Sequence, residues 1–258
     1  MEVNSLKGRM LVRRPLVLLA ALSLSGLVSA CEKPQDDGRA PTSRAFPKAD
    51  RPISKLGANG FSSENARDSV NEARTVMDLA GIAKGMSVAD IGAGEGYYTV
   101  RLAQRVGAEG RVLAQDIDPE AVRELGLRIE RERLDNVSIK RGAEDDPGLP
   151  ANSFDRVMLV HMYHEVSEPY AFLWRLRPAL RPGGSVVVVD IDRPTKDHGI
   201  PPALLFCEFD AVGFRLAEFV RKPKMQGYYA RFEVRGAAPK PEAITPCRLA
   251  GSAPAVAS

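Results

Sequence analysis

Apolar positions along the chain switch between two spacings. From Glu64 to Ala80, the residues Val70, Ala73, Val76, Met77 and Ala80 recur at helical intervals, and Gly81 and Gly85 supply a stop, so one amphipathic helix is expected there. Ser87–Ile91 is a short apolar run that enters a glycine cluster, and Tyr97–Val106 returns to helical spacing through Val100, Leu102 and Ala103. The alternation continues. Strands are expected at Arg111–Gln115, Val137–Lys140, Arg156–Val160 and Ser185–Val189, and helices at Pro119–Arg133, Tyr170–Leu180 and Pro201–Val212. Phe214–Val220 and Tyr228–Val234 then close the sheet, with an antiparallel pair as the expected arrangement. Continuous Val and Leu runs suit strands buried on both faces. The predicted fold class is therefore α/β: a doubly wound, mostly parallel seven-stranded sheet with helices on both faces and ligands at the carboxyl ends of the strands.

The two ends break this pattern. Lys7, Arg9, Arg13 and Arg14 precede an uncharged stretch, Leu16–Ala30, that is shorter than the roughly 20 apolar residues a membrane-spanning helix needs and is weakened by Ser23, Ser25, Gly26 and Ser29. Residues 1–30 read as a cleaved secretion signal. Val28-Ser29-Ala30-Cys31 resembles the lipobox of bacterial lipoproteins, which implies a lipid on Cys31 and a chain held at the membrane of the cell envelope, facing the periplasm. Residues 31–58 carry Pro34, Pro41, Pro47 and Pro52 among polar neighbours and read as a flexible tether. Residues 59–235 are the expected folded unit, and the Ala/Pro-rich stretch 236–258 an expected disordered tail.

Composition removes several function classes. With 36 Lys plus Arg against 33 Asp plus Glu, the 258-residue chain has a formal charge of only +3, which argues against nucleic acid as a partner. Beyond residue 30 the two signs balance at 32 each. Three cysteines with no CxxC leave no structural zinc site and no disulfide framework, and Cys207 and Cys247 are expected as free thiols.

The glycine loop carries the chemistry. Asp90-Ile91-Gly92-Ala93-Gly94-Glu95-Gly96-Tyr97 places an acid at the end of the first strand and glycines at every second position. A dinucleotide fingerprint wants G-x-G-x-x-G, but its third glycine would fall at Tyr97, and a phosphate loop would need a following Lys. The D-x-G-x-G-x-G form instead resembles the first motif of class I S-adenosylmethionine-dependent methyltransferases. The resemblance continues through Gln115-Asp116-Ile117-Asp118, Gly142-Ala143-Glu144-Asp145-Asp146 and Leu180-Arg181-Pro182-Gly183-Gly184. It implies a Rossmann-like fold and S-adenosylmethionine as methyl donor, with Asp90, Gly92, Gly94 and Gly96 at its methionine end. Asp116 would sit on the ribose hydroxyls with Ile117 beside it, because one carboxylate has acceptors for two adjacent hydroxyls. Ala143 stands where many relatives carry Asp, so the adenine contact shifts to Glu144 or Asp145. Tyr97 and Tyr98 are open between cavity wall and helix packing.

At the end of the fourth strand, His161, His164 and Glu165 are the available general bases for an acceptor that must lose a proton. Adjacent His164 and Glu165 lack a helical i, i+4 partner, so no metal is expected. The segment Ile191–Phe209, including His198, faces the acceptor side. A small-molecule acceptor is favoured. The second reading is a membrane-tethered protein that binds the cofactor or its demethylated product without turnover. Its motivation is the export signal, since a charged sulfonium does not cross a bilayer unaided.

Overall fold

The structure is a computed structural model that describes residues 1, 37–54, 63–221 and 227–248. Contacts divide the chain into two units, Met1–Gly38 and Arg39–Ser258. Of the first, only residues 1, 37 and 38 are described, so the secretion signal and Cys31 lie outside the described residues. The second unit holds every strand and helix described.

Seven strands form one sheet in the order β3-β2-β1-β4-β5-β7-β6. These are β1 (Ser87–Ile91), β2 (Arg111–Asp116), β3 (Val137–Arg141), β4 (Phe154–Val160), β5 (Leu180–Asp190), β6 (Phe214–Arg221) and β7 (Tyr228–Val234). The first five run parallel, and β7 lies antiparallel to both β5 and β6. Helices α1 (Glu64–Ser69), α2 (Glu72–Leu79), α3 (Tyr97–Val106), α4 (Pro119–Glu132), α5 (Pro169–Leu176) and α6 (Pro202–Ala211) complete the unit. The expected doubly wound architecture is present. One element differs: the single leading helix is two, because Asn71 between α1 and α2 adopts a left-handed conformation (φ 53°) that no α-helix can pass through.

The sheet is covered on both faces, and strand period two assigns the residues. Val187 and Val189 of β5 pack with Val88, Met158 and Tyr229 under α2 and α3. Their neighbours Val186 and Val188 pack with Ala89, Ile91, Val157 and Leu159 under α5 and α6. On that second face Phe209 of α6 stacks on Phe232 of β7 at 3.9 Å between ring centroids. Because the chain steps outward from β1 to β3 and then returns to place β4 on the other side of β1, a crevice opens above the carboxyl ends of β1, β2 and β4.

Three expectations are corrected. Residues 39–54 are a fitted strap and no loose tether: Phe46 is buried against Trp174, Arg39 makes a two-pronged contact to Glu168 at 2.6 and 2.7 Å, and Arg51 pairs with Glu208 at 2.7 Å. A segment poor in apolar residues is fixed here by one aromatic and two buried guanidiniums. Residues 236–248 are likewise seated. Trp174 Nε1 donates to Pro239 O, the Cys247 amide donates to the Tyr170 hydroxyl, and Ile244 is buried. Cys207 of α6 and Cys247 are joined in a disulfide and are not free thiols. No local pattern announces this pairing, because the 40-residue separation spans α6, the β6–β7 pair and the tail. Among the described residues, no helix is long and apolar enough to cross a membrane.

Candidate functional site

The crevice is a cavity of about 1300 Å³, above the 300–1,000 Å³ typical of a single small-ligand pocket. At one end lies the loop between β1 and α3. Gly94 has a left-handed backbone (φ 52°), and a Cβ built there would meet nothing within 4 Å, so the loop offers bare backbone to the cavity. The Gly94 amide donates to Asp116 Oδ2 at 2.8 Å, and the Asp118 amide donates to Asp116 Oδ1 at 3.0 Å. Asp116 is thereby held at the end of β2 with acceptor capacity left on both oxygens. Asp118 caps α4 by accepting from the Glu120 amide at 2.9 Å. Gly92, Gly94, Asp116, Ile117 and Glu144 all line the cavity. Glu144 also accepts from the Ser167 hydroxyl at 2.9 Å.

Three expected ligand residues stand elsewhere. Gly96 is absent from the cavity wall. It begins α3 with φ 87°, and a Cβ there would come within 2.5 Å of Leu125 on α4, so its role is close packing of two helices. Asp145 is turned away and buried. Its carboxylate accepts from Thr42 at 2.6 Å, Ser43 at 2.8 Å and Arg175 at 2.8 Å, which ties the strap to α5 and keeps Asp145 off the cavity wall that Glu144 lines. Burial would raise the Asp145 pKa, but these donors hold it below the usual carboxylate range. Asp90 lies beneath the loop and accepts from the Thr99 hydroxyl at 2.6 Å. Burial pushes its pKa up to about 6 against the opposing Thr99 bond. Asp90 braces α3 under the loop and does not face the cavity.

The opposite end gathers side chains from distant segments. His161, with a left-handed backbone (φ 55°), lines the cavity and places Nε2 3.4 Å from Glu72 Oε1. Glu72 is the residue that sequence reasoning misses. It is a buried acid on α2, one turn before Val76 on the same apolar face, and that placement is the available signal. Arg67 donates to Glu72 at 2.6 Å and Tyr98 donates to it at 3.1 Å. Burial would raise its pKa, but His161 and Arg67 overcome that and hold it at about 2. Tyr98 is therefore a packing residue with one polar bond, while Tyr97 lines the cavity with the Arg67 guanidinium 3.9 Å from its ring centroid. Glu165 also lines the cavity. His164 does not: it is fully buried, with Nδ1 3.0 Å from both carboxylate oxygens of Asp190. The strap completes this end through Ile53 and Ser54, and Ser54 donates to Thr195 O.

S-adenosylmethionine fits this arrangement. The bare Gly94 backbone and the Asp116 acceptors suit an adenosine carrying a diol, and the cavity extends beyond them to His161 and Glu165, leaving room for an acceptor.

Comparison with known proteins agrees with the geometry. Residues 88–184 match a family described as a methyltransferase domain. The ubiquinone/menaquinone biosynthesis C-methyltransferase UbiE of Idiomarina loihiensis is 30% identical over 123 residues, covering 47% of this chain and 49% of that protein. The UbiE of Salmonella arizonae is 28% identical over 167 residues, covering 57% and 64%. The chain thus spans about half to two thirds of the length of these curated relatives. Among solved structures, a SAM-dependent methyltransferase from Aquifex aeolicus superimposes with a TM-score of 0.59 at 25% identity, over 65% of this chain and 90% of that one. The [4+2]-cyclase SpnF shares the fold with a TM-score of 0.53 at 18% identity, over 69% of each chain. Residues 88–184 accordingly form a methyltransferase domain of the class I, S-adenosylmethionine-dependent type.

Proposed function

We propose that this chain moves the methyl group of S-adenosylmethionine to a small-molecule acceptor bound beside His161 and Glu165, and that it works outside the cytosol, anchored through a lipid on Cys31. One observation carries the catalytic half. A single cavity runs from Asp116 and Gly94 to His161, so a nucleoside and an acceptor have room side by side. The cofactor, when bound, supplies an electrophilic methyl group. The protein's part is alignment and exclusion of water, which is where most of the barrier reduction lies.

Each residue then has a defined task. Asp116 takes the ribose hydroxyls, and Gly94 lets the ligand lie against backbone. Arg67, at the cavity edge, offers positive charge to the carboxylate of the methionine end. His161 is oriented by Glu72 and takes the proton that an acceptor hydroxyl or amine gives up. A carbon acceptor of the kind named for the UbiE relatives has the same need, because loss of a proton from a ring hydroxyl makes the neighbouring carbon nucleophilic. Buried His164, fixed by Asp190, shapes the turn that presents Glu165.

The location rests on the basic and apolar leader, the sequence around Cys31, and the Cys207–Cys247 disulfide, a bond that persists in oxidising compartments. The same location supports the second reading, binding without turnover, because the cofactor is made in the cytosol. Three measurements decide. Calorimetry on the purified chain should show S-adenosylmethionine and its demethylated product binding at about micromolar strength, about 8 kcal/mol. Absence of heat or thermal shift with either removes the reading. Labelled methyl transfer to an envelope extract then separates an enzyme from a binder. Mass spectrometry of chain purified from its native membrane should show a lipidated Cys31, and an unmodified thiol there rejects the anchor.

A further inference from the structure

We propose that His164, Glu165 and His198 hold a divalent transition-metal ion of the zinc type at the acceptor end of the cavity. His164 and Glu165 sit on the tight turn Tyr163–Glu165 after β4, and His198 follows the turn Thr195–Asp197 in the loop after β5. That loop is closed on itself, since the Ile200 amide donates to Ile191 O at 2.8 Å, and this brings His198 back to the end of β5. The His164 and His198 rings meet edge to face, 5.8 Å between centroids. One donor atom from each of the three side chains lies within 4.8 Å of the other two, with Glu165 Oε1 3.9 Å from His164 Nε2 and 4.0 Å from His198 Nδ1.

Four features separate this cluster from an ordinary ion pair. The donor set is two imidazoles and a carboxylate, the composition of zinc sites that keep a fourth position open. Asp190, fully buried, faces His164 Nδ1; a carboxylate only accepts, so Nδ1 carries the proton and Nε2 presents its lone pair toward Glu165. Such a carboxylate behind a ligating histidine is the usual supporting partner of a bound metal. Among the described residues, His198 Nδ1 is buried and makes no hydrogen bond. His198 also sits in a left-handed conformation (φ 56°), uncommon for a residue other than glycine, with its ring against that of His164.

The donor atoms stand wider than the edge of about 3.3 Å that metal bonds of about 2.0–2.1 Å give in a tetrahedron. The His198 and Glu165 side chains, 26% and 14% exposed, have room to draw in on His164. Glu165 lies on the cavity wall, so the ion would border the acceptor. The site uses residues apart from those that bind the cofactor and needs no turnover to be seen.

The test uses the untagged full chain, stripped with a chelator and titrated with Zn²⁺ against a competing indicator, without S-adenosylmethionine. One ion per chain is expected. The chain's three histidines make a built-in control: His198→Asn, which keeps a residue tolerant of the left-handed backbone, should abolish uptake, whereas His161→Asn should leave it intact. Asp190→Asn should weaken uptake about 10–100-fold, the usual cost of losing a supporting carboxylate. His198 stands outside the strands and helices, so its variant keeps the fold even if the Asp190 variant does not. No saturable uptake overturns the proposal. Uptake that survives His198→Asn, or that His161→Asn removes, overturns it as well. None of these outcomes touches the methyl-transfer reading, which is decided by cofactor binding.

Discussion

The two ends of the cavity are built by different means. The cofactor end is local: ten residues, from Ile91 to Thr99 with Asp116, make it from backbone amides, glycine conformations and one carboxylate. The acceptor end is assembled from five separated segments, with the strap at 39–54, α2, the turn after β4, the end of β5 and the loop to His198 each giving one or two ionic side chains. Backbone sites tolerate change around them and fail at single glycines. Side-chain sites depend on buried charge pairs that must all be in place, since each unpaired charge left in the interior is expensive.

This difference can be put under strain in order of effect. Arg51→Ala removes one partner of a pair in which both side chains are almost wholly buried, and also its bonds to His164 O and Val166 O. Burial opposes the Arg51 charge, yet Glu208 keeps the guanidinium more strongly basic than usual. The loss should cost about 3–5 kcal/mol in urea unfolding and loosen the acceptor end first. A loss below about 1 kcal/mol would mean that the strap is ornamental. Next, reducing Cys207–Cys247 should lower stability by about 2–4 kcal/mol while leaving cofactor affinity intact, read by thermal unfolding with and without reductant. Asp116→Ala acts on the other end. It should weaken S-adenosylmethionine binding by about 1.5–3 kcal/mol in calorimetry, and unchanged affinity would reject the ribose contact.

The smallest effects have opposite signs with pH. Asp90 has its folded pKa raised to about 6, so its contribution to stability is fully present below 3.8 and lost as pH rises through about 6. Asp90→Asn should therefore be neutral near pH 4 and gain about 1–2 kcal/mol above pH 6. Glu72 is depressed to about 2, so its contribution is present above 4.5 and lost as pH falls toward 2. Glu72→Gln should destabilise by about 1–2 kcal/mol at neutral pH and shift the pH profile of any His161-dependent activity, with the stability loss shrinking in acid. Parallel pH curves for the two variants would show that the ends share one electrostatic environment.

The same contrast explains what is legible in the sequence alone. Strand and helix periods locate every strand, because β1, β2, β4 and β5 are buried on both faces and leave continuous apolar runs. Gly94 and Asp116 are legible because they lie within 22 residues of each other and follow a spacing that backbone geometry demands. Gly96 reads as a ligand residue because a glycine's missing Cβ looks the same in sequence whether it makes room for a nucleoside or for Leu125. Asp145 reads as an adenine contact because its true partners, Thr42, Ser43 and Arg175, come from the strap and α5. Glu72 and Asp190 meet His161 and His164 only through the winding of the chain, across 89 and 26 positions respectively. No local signal carries such pairings.

Both extremities of the second unit end up on one face of the sheet: Phe46 near its beginning, and Ile244 and Cys247 near its end, belong to the same apolar cluster as α5 and α6. That face is closed only when residues before α1 and after β7 are both seated, whereas the face under α2 and α3 draws on nothing beyond β7 among the described residues. The Cys207–Cys247 link pins the last described segment to α6 on that face, so opening it should loosen the cover over α5 and α6 before the face under α2 and α3.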